Sequence, residues 1–258
     1  MMDLQKIAEE IDAHQSSGRE MEKITLSHPN LSVEEAYDIQ KRCVDLAIER
    51  GDRLIGWKMG LTSKPKQVTM GVEEPIYGRL TQSMELTEPV LRLEGLIHPR
   101  VEPELAFVIK KELGGDNITP RDVWLATECI LPAVEVIDSR YKNFSFTHID
   151  VVADNASSSK FIVGDQGFSP YHTAWDEVGV SMYKNGEVVQ TGAGAAILGH
   201  PVRSVVELAK MLSRSGLTIQ PGNVILAGAV TDAVSVSEGD RIEVQYDQLG
   251  SLKFSVKA

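Results

Sequence analysis

The run Ile97–Ile109 (IHPRVEPELAFVI) constrains the fold more than any other stretch of this chain. Its second half is apolar, β-branched and aromatic, so it reads as a strand. Side chains alternate along a strand, so Glu102 and Glu104 point to one face. Two neighbouring carboxylates repel, and something must offset that: solvent, a shared proton, basic partners or a cation. A second apolar strand, Ala133–Ile137, carries Glu135 between Val134 and Val136. Charges between β-branched residues are rarely buried unless paired or metal-bound. Three carboxylates with no thiolate or histidine cluster suit a hard cation, Mg²⁺ or Mn²⁺, with further positions open to water or substrate. Spacing leaves two other readings open. Glu102 and Glu104 line a solvated face while Glu135 pairs with Arg140 or Lys58, or two of the acids form a glycosidase pair. An aromatic content of 6% weighs against sugar platforms.

The surrounding pattern is α+β. Leu4, Ile7, Ala8 and Ile11 recur at helical spacing. Ser32 with Glu35 is a capping-box signature, followed by an apolar face of Ala36, Ile39, Cys43, Leu46 and Ala47 and closed by Gly51. From about residue 53 short β-like runs dominate, interrupted by two expected helices. One starts at Thr119-Pro120 and runs through Cys129; the other opens on a capping box of Ser204 and Glu207. Ile242, Val244 and Tyr246, then Leu252, Phe254 and Val256, alternate around Asp247–Gly250 as a closing hairpin. Runs of strands with inserted helices exclude an alternating doubly wound sheet. The expected division is a helical N-terminal part, 1–52, and a strand-rich body, 53–258, in one compact unit of 258 residues.

Twenty-six basic against 37 acidic side chains give a net charge of −11, which argues against a nucleic-acid partner. It does not exclude an anionic small substrate, since a bound metal inverts the local sign. Cys43 and Cys129 form no CxxC and are expected to be buried free thiols. Met1-Met2-Asp3-Leu4-Gln5 lacks the basic and apolar regions of a signal peptide, and no run is long enough to span a membrane. The expectation is a cytoplasmic, reducing setting.

Other residues carry candidate chemistry. Lys58 sits inside an apolar strand flanked by Gly56 and Gly60, where an amine either reaches solvent or meets carboxylates or a functional anion. Arg140 can fork onto a substrate carboxylate or serve a structural ion pair. Val151–Ser159 ends in polar, turn-prone residues and reads as a binding loop or a linker. Gly192–Gly199 is not a dinucleotide fingerprint and reads as a tight turn. The six histidines form no HExxH, and no GxSxG or Walker motif is present.

Six runs together resemble one family: GWKMGLTS (56–63), MGVEEPIYGRL (70–80), IHPRVEPELAFV (97–108), VEVIDSRY (134–141), VVADNASS (151–158) and GAGAAILGHP (192–201). It is the hydratase/decarboxylase branch of the fumarylacetoacetate hydrolase superfamily, and the likeness runs from about residue 20 to the end. The resemblance implies a mixed β-roll with a smaller helical N-terminal part. It implies a divalent metal on Glu102, Glu104 and Glu135, an active-site lysine at Lys58, and a substrate-side loop around Asn155, Ser157 and Ser158; Arg140 is the candidate carboxylate fork beside it, and Ile76 a candidate apolar wall. The branch holds two close activities: decarboxylation of 2-oxo-3-hexenedioate (4-oxalocrotonate) and hydration of 2-hydroxypenta-2,4-dienoate. Hydratases typically carry Pro-Asp-Phe-Gly where this chain has Pro75-Ile76-Tyr77-Gly78. Ile76 cannot activate water, and Thr231–Val236 also resembles the decarboxylases. Ser145, Asp232 and Ser235 depart from the expected pattern without touching the metal positions. The implied partners are a small 2-oxo dicarboxylate, further copies of the chain and a hydratase complex. Competing readings are the hydratase itself, an acylpyruvate hydrolase using His28 with Glu34 or Glu35, and a non-catalytic scaffold subunit.

Overall fold

The computed structural model describes residues 3–258, so Met1 and Met2 of the N-terminal run lie outside the described residues. The chain opens on helices α1 (Leu4–Ser17), α2 (Ile24–Ser27) and α3 (Val33–Glu49). The Ser32–Glu35 capping box starts α3 as expected, satisfying two backbone donors at once. Strands β1 (Leu54–Gly60) and β2 (Ile76–Thr81) flank a short helix, α4 (Lys64–Met70). Then come β3 (Val90–Arg92), β4 (Arg100–Ile109), α5 (Pro120–Ala126), β5 (Thr127–Ile137), α6 (His148–Ala153) and β6 (Ser158–Val163). The remainder is β7 (Gly179–Lys184), β8 (Glu187–Ala193), α7 (Pro201–Arg214), β9 (Val224–Leu226), β10 (Val234–Ser235), β11 (Arg241–Tyr246) and β12 (Gly250–Lys257). This is an α+β fold.

Two sheets hold the body together. One runs β2-β1-β9-β4-β5-β6 with β10 also on β4; the other runs β3-β12-β11-β7-β8. Side-chain alternation on β4 divides the chemistry. Val101, Leu105 and Phe107 face the main core with Val134 and Val136 of β5, Val244 of β11, Phe254 of β12 and Leu208 of α7. Glu102 and Glu104 face the other way, above a small apolar floor of Leu80, Ala106, Ala133, Phe161 and Leu226. The register sets Glu102 directly opposite Glu135 and Arg100 opposite Ile137. Helices α1, α3 and α6 share a separate apolar cluster that includes Ile76 and Tyr141.

Pro103 sits within β4, where it has no N–H to donate. It falls between the residues that pair with β9 (Ala106–Val108) and those that pair with β10 (Arg100, Val101). The chain from Ala227 to Thr231 leaves the ladder there, keeping the bond from Val230 N–H to Pro103 O. That departure frees the Gly228 amide for a side chain.

Three elements differ from expectation. The helix at Thr119-Pro120 ends at Ala126, and Cys129 lies on β5 opposite Val108, because strand pairing overrides the helical spacing of one residue. Helix α7 starts at Pro201 with His200 as its cap, so Ser204 is inside the helix. Val151–Ser159 is no linker: it forms the end of α6, a tight turn and the start of β6. Both cysteines are free, with Cys43 buried and Cys129 partly exposed. Burial pushes the Cys43 thiol up to about 12, while Cys129 is raised less by burial and Glu128. A disulfide reagent at pH 8 is therefore expected to label Cys129 first, with Cys43 reacting only on unfolding. Peptide mapping after brief labelling checks this, and equal early labelling would contradict the burial of Cys43.

Candidate metal centre

Glu102, Glu104 and Glu135 each offer a carboxylate oxygen, and these atoms lie within 4.8 Å of one another. All three residues are buried, Glu104 and Glu135 at 0% exposure. The solvated-face reading therefore does not apply to them. Glu104 Oε2 accepts the Gly228 N–H at 2.6 Å, while its Oε1 has no hydrogen-bond partner. Gly228 has φ +117°, and a Cβ there would lie 2.2 Å from Thr62 Oγ1, so glycine is required to aim that amide. Glu135 Oε1 accepts from Ser158 Oγ at 3.1 Å, and Oε2 lies 3.0 Å from Lys58 Nζ. Glu102 pairs at the open side with Lys66 at 3.2 Å.

Lys58 reaches the carboxylates because β1 lays it across Gly78 of β2. A Cβ on Gly78 would meet Lys58 Cγ at 3.0 Å and Asn155 O at 2.7 Å. The ammonium is buried and donates to Ala156 O at 3.0 Å. Burial pulls its pKa down, but Glu135, Glu104 and Glu102 together outweigh this and hold it charged. Burial raises Glu104 well above the usual carboxylate range, reinforced by Glu135 and opposed by Lys58. Burial likewise raises Glu135 against the pull of Lys58. Three acids around one inner ammonium leave excess negative charge and one orphaned oxygen. An all-oxygen donor set with that imbalance fits a hard divalent cation. The alternative pairing of Glu135 with Lys58 is also present, so the lysine is part of the cluster.

The turn that carries Ala156 is strained. Asn155, Ala156 and Ser157 have φ of 51°, 52° and 56°, a left-handed run without a glycine. Such residues cost of order 1 kcal/mol each and persist only when their surroundings over-determine them. Asn155 is fixed by accepting the Arg79 N–H at 2.7 Å and donating to Arg79 O at 2.9 Å. Arg140 clamps the other side. Its Nε and one terminal nitrogen take the Asp154 side chain and carbonyl, and the other donates to Asp138 O at 2.7 Å and Ser158 O at 3.1 Å. The expected fork of Arg140 onto a substrate is thus corrected: four of its five side-chain N–H donors are spent inside the protein, and it is 2% exposed. Asn155 likewise serves the backbone of β2, and Ser158 orients Glu135. Ser157 Oγ is buried without a hydrogen-bond partner.

Lys58, Glu102, Ile76 and Ser157 line one cavity of about 560 Å³, with Phe146 and Val151 among its apolar walls. His28, Glu34 and Glu35 do not line it, and the Glu35 carboxylate is held by the Ser32 N–H. A wider groove of about 980 Å³ on the other sheet contains one acid, Glu243, already paired with Lys253, and gathers no convergent chemistry. Gly228, Ala156, Lys66 and Asp154 escape sequence reading. Of these only Lys66 and Asp154 carry charge, and nothing in the spacing shows their partners.

Among the described residues no helix is long and apolar enough to cross a membrane. Residues 57–257 match the family model described as fumarylacetoacetate (FAA) hydrolase C-terminal. A 4-oxalocrotonate decarboxylase from Pseudomonas putida is 44% identical over 247 residues, 95% of this chain and 94% of that protein. A 2-hydroxyhexa-2,4-dienoate hydratase from Comamonas testosteroni is 38% identical, over 91% of this chain and 90% of the other. The solved 4-oxalocrotonate decarboxylase from Pseudomonas putida G7, complexed with magnesium and adipate, superposes with a TM-score of 0.96 at 42% identity, covering 98% of this chain and 97% of that one. With the fold, the carboxylate cluster and these matches in agreement, the chain belongs to the fumarylacetoacetate hydrolase family.

Proposed function

We propose that this chain decarboxylates 2-oxo-3-hexenedioate to 2-hydroxypenta-2,4-dienoate and CO₂, using Mg²⁺ or Mn²⁺ held by Glu102, Glu104 and Glu135. The observation that carries the reading is the buried three-carboxylate cluster with Glu104 Oε1 unpartnered beside a charged Lys58. Similarity to 4-oxalocrotonate decarboxylases over almost the whole chain supports the substrate. When bound, the cation supplies Lewis-acid charge for the 2-oxo end of the substrate.

The chain's own residues do the rest. The substrate is a vinylogous β-keto acid: the C5–C6 bond breaks, and its electron pair moves through the alkene to the 2-oxo oxygen. Lys58 Nζ, fixed between Glu135 and Ala156 O, holds a proton for that oxygen or keeps the 2-oxo end oriented. Ser157 Oγ is an available hydrogen-bonding group on the same cavity. Ile76, Phe146 and Val151 wall the space and limit water. Ile76 is 3% exposed, and the resemblance of Pro75–Gly78 to the decarboxylase pattern rather than the acid-bearing hydratase one supports decarboxylation over hydration. The intact cluster disfavours a scaffold role. The same reading takes the chain as a cytoplasmic homo-oligomer that hands its enol product to a hydratase.

The test is CO₂ release from 2-oxo-3-hexenedioate, with and without EDTA. Turnover should fall to background with chelator and return with Mg²⁺ or Mn²⁺. Hydration of 2-hydroxypentadienoate that outpaces CO₂ release would overturn the decarboxylase reading in favour of the hydratase.

A further inference from the structure

The geometry points to Arg100 as the residue that selects a dicarboxylate, by taking the carboxylate distal to the 2-oxo end. The inference rests on the diacid reading above and extends it to a residue not yet given a role.

Arg100, Glu102 and Glu104 lie on one face of β4: Arg100, half-buried, and Glu102 line the cavity, and Glu104 lies wholly buried beyond them. A strand rises about 3.3 Å per residue, so Arg100 and Glu102 stand roughly 6.6 Å apart along it. An extended six-carbon chain spans roughly 6 Å between its terminal carbons. A diacid whose 2-oxo end lies at the carboxylate cluster is therefore long enough to bring its other end within reach of Arg100.

The cavity's cations differ in what they are free to do. Lys58 is held by Glu135 and Ala156 O, and Lys66 by Glu102 and Thr231 O. Arg100 enters no ion pair among the described residues, and its guanidinium stacks 4.1 Å above the Phe144 ring. Stacking leaves the edge of the fork open for a bidentate carboxylate. The platform is built: Asn143 and Phe144 adopt φ of 56° and 54°, and Phe144 packs against Phe146 and His98. The acids at this mouth are Glu102, engaged by Lys66, and Asp232, which is exposed. The distal carboxylate loses its charge as CO₂ forms, so contact with Arg100 belongs to capture rather than to bond breaking.

The test uses saturated 2-oxo acids that cannot undergo the vinylogous reaction: 2-oxoadipate, and 2-oxohexanoate, which lacks only the distal carboxylate. Calorimetry on the Mg²⁺-loaded full chain should show wild type binding 2-oxoadipate roughly 10- to 100-fold tighter than 2-oxohexanoate. Arg100→Met should bind the two alike while keeping the Mg²⁺-induced rise in melting temperature. Arg100→Lys should restore part of the preference. A preference that survives Arg100→Met overturns this assignment alone. Equal binding of both acids by wild type overturns it together with the diacid reading.

Discussion

Glu104→Gln is expected to lower metal-dependent CO₂ release by about 100- to 1000-fold, with a fold that melts no lower than wild type without metal. The two halves of this result have one cause. Glu104 is wholly buried, and its carboxylate is raised by burial and by Glu135. Without a cation, an ionised Glu104 costs stability, since one of its oxygens has no partner. An amide keeps the shape and still accepts the Gly228 N–H, but removes that charge. The same change takes one anionic donor from the proposed cation site. Wild type should therefore gain melting temperature on adding Mg²⁺, as any ligand of the native state does, and the variant should gain almost none. Paired melting curves and CO₂ assays check this. Near-normal turnover in chelator, or a full Mg²⁺-induced shift in the variant, would remove Glu104 from the metal site.

The residues behind this prediction are legible because a strand has a period of two. Glu102 and Glu104 share a face by alternation alone, and apolar neighbours mark Glu135 as buried. Lys58 is visible for the same reason, as a charge inside an apolar strand. What joins them is not legible. Ser158 reaches Glu135 across 23 positions, Lys58 meets Ala156 across 98, and Gly228 meets Glu104 across 124. Each contact exists only once the sheet order is set, with β9 inserted between β1 and β4. The Ser204 capping pattern misleads because His200, whose ring accepts the Val202 N–H, and Pro201 at the first helical position start α7 four residues earlier. Cys129 follows a helical period that Thr127 ends by joining β5. Arg140 illustrates the limit most clearly. Its residue type suits a substrate carboxylate, and only the fold reveals Asp154 beside it.

That pair yields the largest expected loss of stability. Arg140→Met should destabilise the protein by about 3–5 kcal/mol, because it leaves Asp154 buried without its counter-charge. At about 2–4 °C per kcal/mol for a chain of this size, the melting temperature should fall by roughly 10 °C. The loss should depend on pH. Burial already lifts Asp154 to about 6 in wild type, against the pull of Arg140. Without Arg140 the folded-state value climbs further, while the unfolded value stays near 3.8. The folded state then binds the extra proton, so the variant's stability falls as pH rises from about 4 through the raised value. Urea melts of Arg140→Met at pH 5 and pH 8 should accordingly show the smaller deficit at pH 5. Asp154→Leu added to Arg140→Met should recover part of it, since an apolar pair leaves no uncompensated charge. It cannot recover all, because the carbonyls of Asp138, Asp154 and Ser158 still lose their donor. A deficit independent of pH, with no recovery in the double variant, would show that Arg140 acts through packing and not through its charge.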